Sequence, residues 1–272
     1  MAARKKGRNV RDYLNAAIHA ARKAGAIQKD RFRDLFPVDF KGEKNLVTEV
    51  DRASEDAIID ALRSAFPECG ILAEESGFVS GGSPLRWIID PLDGTTNYAH
   101  GFPWFAVSIA LEVDGAIGAG VVLNPMMDEL FTAIRGEGAW LNGRKLSVSA
   151  RHPLSECLLA TGFPYDRTRT NENNFGNFIK FQLAARAVRR FGAAALDLAY
   201  VAAGYLDGYW ECKLNPWDTA AGKLLVAEAG GIVTDHAGGP HGTEEHRILA
   251  SNGLIHREMI AVLASSDQAP PP

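Results

Sequence analysis

Trp87-Ile88-Ile89-Asp90-Pro91-Leu92-Asp93-Gly94-Thr95-Thr96-Asn97 is the stretch that decides how the rest of the chain is read. It opens as a short apolar run with β-branched isoleucines and no polar alternation, the pattern of a buried strand. Asp90 ends that run, Pro91 is expected to stop the strand, and Asp93-Gly94 carries a turn signature. Thr95, Thr96 and Asn97 then offer hydroxyls and an amide where a helix can begin. Two carboxylates three residues apart at a strand end can face one small volume, and hard divalent cations such as Mg²⁺ favour such oxygen-rich sites. The Gly94 and Thr95 amides, in the first turn of a helix, would face an anion. The same string also serves as an ordinary strand-to-helix turn with Asp93 as its capping residue. Taken alone, the stretch leaves both readings open.

Upstream, Tyr13, Leu14, Ala17, Ile18, Ala21 and Ala24 recur at helical spacing and predict an amphipathic helix over 10–30. A second helix is expected from about 45–51, through Ile58, Ile59 and Leu62 to Phe66, with Pro67 ending it. Thr48 and Asp51 resemble a capping box, which is the structural role open to Asp51. A strand at 71–73 leads into Glu74-Glu75-Ser76-Gly77. Downstream, period-two patterning predicts strands at 105–113, 116–123 and 129–134, with Asp114-Gly115 as a hairpin turn. Gly136-Glu137-Gly138 reads as a turn, and Asn142-Gly143 as another before a strand at 145–149. Residues 1–152 thus read as an α+β half with two helices, an antiparallel sheet and the metal-binding motif.

The rhythm then changes. Strands at 157–161, 187–191 and 206–211 alternate with helices at 173–185, 193–203 and 219–229, the last closed by Gly230-Gly231. Strands at 232–234 and 248–250 and a helix from 254 complete an α/β half over 153–267. The basic segment 1–8 leads into no apolar signal core, and it and 267–272 are expected to be flexible tails.

The chain has 272 residues, 46% of them hydrophobic and 23% charged, within the range of ordinary globular proteins. A net charge of −4 gives no overall pull toward nucleic acid or anionic lipid. Cys69, Cys157 and Cys212 stand far apart, which fits a reducing compartment rather than a disulfide scaffold or a cysteine zinc site. No apolar run reaches the ~18 residues of a spanning helix, so a cytoplasmic location is expected. The seven histidines show no metal-like spacing, and His241 and His246, in a glycine-rich loop, read as surface residues.

Six acids stand at element ends: Asp51, Glu74, Asp90, Asp93, Glu211 and Asp218. Each has a structural reading of its own; Asp218, for example, sits where a helix N-cap belongs. Taken together, the motif from Asp90 to Asn97, Glu74-Glu75-Ser76 before it, and Trp217-Asp218-Thr219-Ala220-Ala221-Gly222 after it resemble the inositol monophosphatase family. Lys41, Val47-Thr48 with Asp51, and the run from Gly192 through Tyr200 to Glu211 extend the resemblance over nearly the whole chain. It implies a five-layer α-β-α-β-α sandwich of the sugar phosphatase type. By the same resemblance, Glu74, Asp90 and the Leu92 carbonyl would hold one Mg²⁺ and Asp90, Asp93 and Asp218 a second, with Glu74 helping at a third. Thr95 and Asp51 would orient or deprotonate the attacking water, with Glu74 beside them, and the Gly94 and Thr95 amides would hold the phosphate. Asp93, Glu211 and the backbone at Ala194, beside Asp218, would meet the alcohol. Asn45 and Ala193 depart from residues common in the family, and Ala193 bears on fine specificity.

The resemblance further implies a Mg²⁺-dependent, lithium-sensitive phosphatase, with two or three ions per site, acting on myo-inositol 1-phosphate as a homodimer. Fructose 1,6-bisphosphate, histidinol phosphate and 3′-phosphonucleotides are alternatives within the fold. The first and last carry a second phosphate and call for extra cations, for which Arg189 and Arg190 are candidates. A phosphate monoester is a dianion, so the acid cluster needs cations to accept it. No cysteine, histidine or serine nucleophile lies in the motifs, and direct attack by water is expected. A role outside catalysis, binding RNA or a transcription partner through Arg4, Lys5, Lys6 and Arg8, is the remaining alternative.

Overall fold

A computed structural model describes residues 9–34, 38–40 and 46–265. The expected tails, Lys41 and Asn45 lie outside these residues, as does the Thr48 side chain of the expected capping box. In order, the elements are α1 (Val10–Asp30), β1 (Val38–Phe40), β2 (Leu46–Thr48), α2 (Glu49–Ala65), β3 (Gly70–Ala73), β4 (Gly77–Val79), β5 (Leu85–Asp93) and α3 (Thr95–Ala99). A meander comes next: β6 (Ala106–Val113), β7 (Ala116–Asn124), β8 (Glu129–Ile134), β9 (Gly138–Leu141) and β10 (Arg144–Lys145). The remainder is β11 (Leu158–Thr161), α4 (Phe175–Ala184), β12 (Ala187–Arg189), α5 (Ala194–Ala202), β13 (Gly208–Cys212), α6 (Pro216–Glu228), β14 (Ile232–Thr234), β15 (Arg247–Ser251) and α7 (His256–Ala264).

Strand alternation builds the layers, because successive side chains of a strand face opposite sides of its sheet. In β5, Trp87 and Ile89 pack with Tyr13, Leu14, Ala17, Ile58 and Leu62 of α1 and α2. Ile88 points the other way, into a core shared with Ala195, Leu198, Ala221 and Leu225 of α5 and α6. Ala160, Tyr209, Ile248 and Ala250 of the second sheet enter that same core. The opposite face of the second sheet, Leu159, Trp210 and Leu249, packs on Phe181 of α4 and Met259 of α7. The order is therefore α1α2, sheet, α5α6, sheet, α4α7, five layers as the resemblance implied. α5 lies between two sheets and is buried at all nine positions, all of them apolar or aromatic except Asp197. α1 meets a sheet on one side only and keeps an apolar stripe. Close approach in the middle layer needs residues without side chains: a Cβ on Gly120 would lie 3.1 Å from the Ala221 Cα.

The first sheet has the order β10-β9-β8-β7-β6-β5-β3-β4 and is mixed rather than antiparallel, because β3 runs parallel to β5. The second, β12-β11-β13-β15-β14, has parallel pairs of β11 with β12 and β13, and antiparallel pairs beyond. Pro91 does not stop β5. The strand continues to Asp93 through a register shift against β6 between Asp90 and Asp93, and a bulge is where a residue without an N–H fits into a sheet. β4 and β9 are strands that periodicity does not reveal, and the strand expected at 145–149 shrinks to β10. No helix among the described residues is long and apolar enough to cross a membrane.

Candidate active site

The bulge in β5 turns Asp90 and Asp93 toward a cavity of about 150 Å³ lined by Glu74, Asp90, Leu92, Asp93, Gly94, Thr95, Ala194, Glu211 and Asp218. Every cleft residue predicted from sequence lines it except Asp51, which stands one hydrogen bond behind. The Thr95 hydroxyl donates to Asp51 Oδ1 at 2.9 Å or to the Leu92 carbonyl at 3.0 Å. With one hydrogen it serves one acceptor at a time, and its lone pairs remain open to a donor in the cleft.

Each carboxylate is set by local backbone. The Leu92 amide folds back onto Asp90 Oδ1 at 3.0 Å, an Asx-type contact inside the bulge. Asp93 receives the first amides of α5, Ala194 N at 3.2 Å and Ala195 N at 2.7 Å. The Ala194 amide expected to face a substrate alcohol is thus turned onto Asp93. Asp218 is not the N-cap of α6. It lies at the third helical position, where its Oδ2 accepts from Asn215 N at 2.6 Å in a capping box. Gly94 has φ 93°, a left-handed turn, and a Cβ there would meet the Trp104 carbonyl at 3.0 Å. Position 94 therefore favours glycine strongly, and Gly94 and Thr95, where the chain enters α3, line the cavity.

Electrostatically the cleft holds too much negative charge for itself. Burial, then Glu74, Asp93 and Asp218, raise Asp90 far above the ordinary carboxylate range. Asp218, which the cleft leaves partly open to solvent, is raised by desolvation, then by Glu74. Asp93 is pushed up to about 7 by burial, against the Ala195 amide, which lowers it. No basic side chain pairs with Asp90, Asp93 or Asp218 among the described residues. Nor are three of these acids drawn together into a ready-made coordination shell among those residues. They line one cavity and repel one another. An all-oxygen donor set with unbalanced charge fits hard divalent cations.

Another wall of the cavity is formed by Glu211, near the end of β13. Tyr209 donates its hydroxyl to Glu211 Oε2, and Gly162 packs so closely that a Cβ there would overlap the carboxylate. Burial pushes Glu211 up to about 7, opposed by the Tyr209 hydroxyl and by Arg190. Arg190 lines the cavity, whereas Arg189 does not.

The residues that hold these groups carry little signal in the sequence. Glu55, one turn beyond Asp51 on the same face of α2, is buried and accepts the Glu75 and Ser76 amides at 2.9 and 2.8 Å, fixing the turn that carries Glu74. The i, i+4 spacing of Asp51 and Glu55 is the available signal. Gln28 of α1 donates to the Pro91 carbonyl at 2.6 Å and has no comparable signal. Asp197 of α5 is fully buried beneath the cleft with neither carboxyl oxygen hydrogen-bonded, and burial raises it far above the usual range. His241 is half-buried, not a surface residue, and its ring nitrogens are enclosed. His246 is exposed, as expected.

Residues 9–268 match the inositol monophosphatase family. The chain is 48% identical over 257 residues to a protein of Pseudomonas aeruginosa named Nus factor SuhB, covering 92% of this chain and 95% of that one. It is 46% identical over 254 residues to an inositol-1-monophosphatase of Mesorhizobium japonicum, covering 91% and 94%. The solved structure of an inositol monophosphatase from Anabaena (Nostoc) sp. PCC 7120 superposes with a TM-score of 0.87 at 44% identity, covering 94% of this chain and 96% of that one. A bulged strand that gathers carboxylates from both halves of the chain, a threonine held by a buried aspartate, and these matches lead to one conclusion: the chain belongs to the inositol monophosphatase family.

Proposed function

We propose that the chain hydrolyses a phosphate monoester with the help of Mg²⁺, and that its substrate is myo-inositol 1-phosphate. The observation that carries this reading is the Thr95 hydroxyl on Asp51, set beside a cavity that Asp90, Asp93 and Asp218 line without a basic partner among the described residues. Glu74, Asp90, Asp93, Asp218 and the Leu92 carbonyl would hold two or three Mg²⁺ ions. Such ions supply charge neutralisation, a water of lowered pKa and stabilisation of the leaving alkoxide. The chain's own part is positional. Thr95 accepts a proton from the attacking water as its own hydroxyl proton passes to Asp51 Oδ1. The Gly94 and Thr95 amides at the start of α3 face the phosphate oxygens. Glu211, held by Tyr209, accepts from the alcohol hydroxyls and orients the leaving group. Attack is direct, since the cavity offers no serine nucleophile among its described lining residues and Cys212, at its edge, is held neutral by burial. Trapping a covalent phosphoenzyme from radiolabelled substrate would overturn this.

The deciding test is phosphate release from a panel of monoesters, including fructose 1,6-bisphosphate and histidinol phosphate, with and without Mg²⁺, for the wild type and Asp93→Asn. Turnover of inositol 1-phosphate that needs both Mg²⁺ and Asp93, and that Li⁺ inhibits, is the expected result. Preference for a bisphosphate would shift the reading toward Arg190, the cation on the alcohol side.

A second reading has a specific support: the relative at 48% identity is named a Nus factor. We infer a transcription-associated role beside catalysis. Co-purification of RNA polymerase or elongation factors with the Asp93→Asn chain, whose turnover should be severely reduced, tests it. A homodimer is also inferred, from the exposed apolar stripe Phe175, Ile179 and Leu183 on α4. Light scattering at micromolar concentration decides that point.

A further inference from the structure

A second cavity, of about 320 Å³, lies further along α6 from Asp218, between that helix, the turn joining β6 to β7, the end of β8 and the 241–243 loop. Two cations line it. Lys223 donates only to a carbonyl, Gly242 O at 3.2 Å, and Arg135 donates its Nε to Ile117 O at 2.7 Å. Neither forms an ion pair among the described residues. The nearby acids are engaged elsewhere. Glu112 pairs with Arg86 at 2.8 Å and accepts the Thr243 hydroxyl at 3.0 Å, and Glu244 pairs with Arg86 at 3.4 Å. Glu228 receives the Gly136 and Gly138 amides, each at 2.8 Å. Among the described residues, Lys223 keeps ammonium hydrogens, and Arg135 its terminal guanidinium nitrogens, without an acceptor.

Two half-free cations side by side in a cavity repel each other and lose solvation. Burial lowers Lys223 to about 8; Arg135 adds to the fall, while Glu112 and Glu244 oppose it. His241, on the wall, is lowered to about 4 by burial and by Lys223, so it is neutral near pH 7 and adds no third charge. An oxyanion between the two cations relieves both costs through charge-assisted hydrogen bonds.

We propose that this cavity is a binding site for a small oxyanion, a phosphate- or carboxylate-bearing metabolite held between Lys223 and Arg135. The site is separate from the cleft and stands whether or not the catalytic reading holds.

Calorimetric titration of the full chain without Mg²⁺, where the cleft carboxylates repel anions, tests it with inorganic phosphate and with citrate. Saturable binding of at least one probe is expected, equal in the wild type and Asp93→Asn. Lys223→Gln and Arg135→Gln should each weaken it about tenfold, the loss of one charge-assisted contact, and Lys223→Arg should restore it. Binding of phosphate alone, citrate alone or both supports the site and identifies which oxyanion it takes. Absence of binding by both probes, or binding unchanged in folded Lys223→Gln and Arg135→Gln chains, overturns it. Circular dichroism establishes folding of each variant, and either one suffices.

Discussion

Ala195 N donates to Asp93 Oδ2 at 2.7 Å, joining the end of β5 to the first turn of α5 across 102 positions of sequence. A cleft carboxylate is thereby held by the positive end of a helix that belongs to the other half of the chain. Asp93→Asn keeps one oxygen acceptor for these amides but removes the charge. Phosphate release should fall by roughly a hundredfold or more, the scale seen when a charge-stabilising group is lost, while the melting temperature stays within a few degrees.

Thr95 tests the proposed role of its pair with Asp51 in activating water. Thr95→Ala removes the hydroxyl that Asp51 orients and should lower kcat by about 10²-fold or more. Thr95→Ser keeps the hydroxyl and should retain most of the rate. Equal loss in both variants would point to packing of the Thr95 methyl instead.

Glu55→Gln replaces one of two amide acceptors by an NH₂ group facing a backbone N–H. The turn carrying Glu74 then loses a charged hydrogen bond, about 1–3 kcal/mol. The Mg²⁺ concentration for half-maximal rate should rise several-fold with kcat at saturation nearly unchanged. A change confined to kcat would remove Glu55 from cation positioning.

Glu211 gives a pH prediction of definite sign. Its folded-state value, about 7, lies above the ordinary 4.5. The stability it contributes is complete below the ordinary value and is lost as pH rises through about 7, a change of about 3 kcal/mol at 1.36 kcal/mol per unit. Denaturant midpoints of the Mg²⁺-free chain should fall between about pH 4 and 8, and Glu211→Gln should flatten part of that fall.

If Mg²⁺ binds as proposed, it should replace protons in the same cleft. Adding it at pH 7 should raise the melting temperature and release protons, since burial and mutual repulsion raise Asp90, Asp93 and Asp218 above the ordinary carboxylate range in its absence. Calorimetry in buffers of different ionisation enthalpy measures the release.

Side-chain chemistry at chain punctuation is what makes the site legible in the sequence. Asp90, Asp93 and Gly94 announce themselves because a proline, a turn and a glycine surround them. Glu55 and Gln28 do not, since their partners are backbone groups 20 and 63 positions away, a relation that only tertiary packing creates. Pro91 misleads for a related reason: its ring forbids a ladder hydrogen bond, but β5 places it where none is made. The parallel pairing of β3 with β5 is equally hidden, because strand direction depends on the path of the connection through β4 and not on residue pattern. The helices are the most legible elements, α1 to the residue, since a one-sided apolar stripe has a period of its own.

The middle layer, in which α5 is buried throughout, also bears on how the chain is made. The first sheet is complete at Lys145, yet α5 begins only at Ala194 and α6 at Pro216. Until those segments emerge from the ribosome, the sheet face bearing Ile88, Ala106, Ala110, Val122 and Phe131 has nothing to cover it. At translation rates of about 5–20 residues per second, a sticky apolar plane stays open for several seconds in every copy synthesised. The yield of folded chain should therefore rise with chaperone capacity, and slowing synthesis between the sheet and the two helices would lengthen the exposed interval.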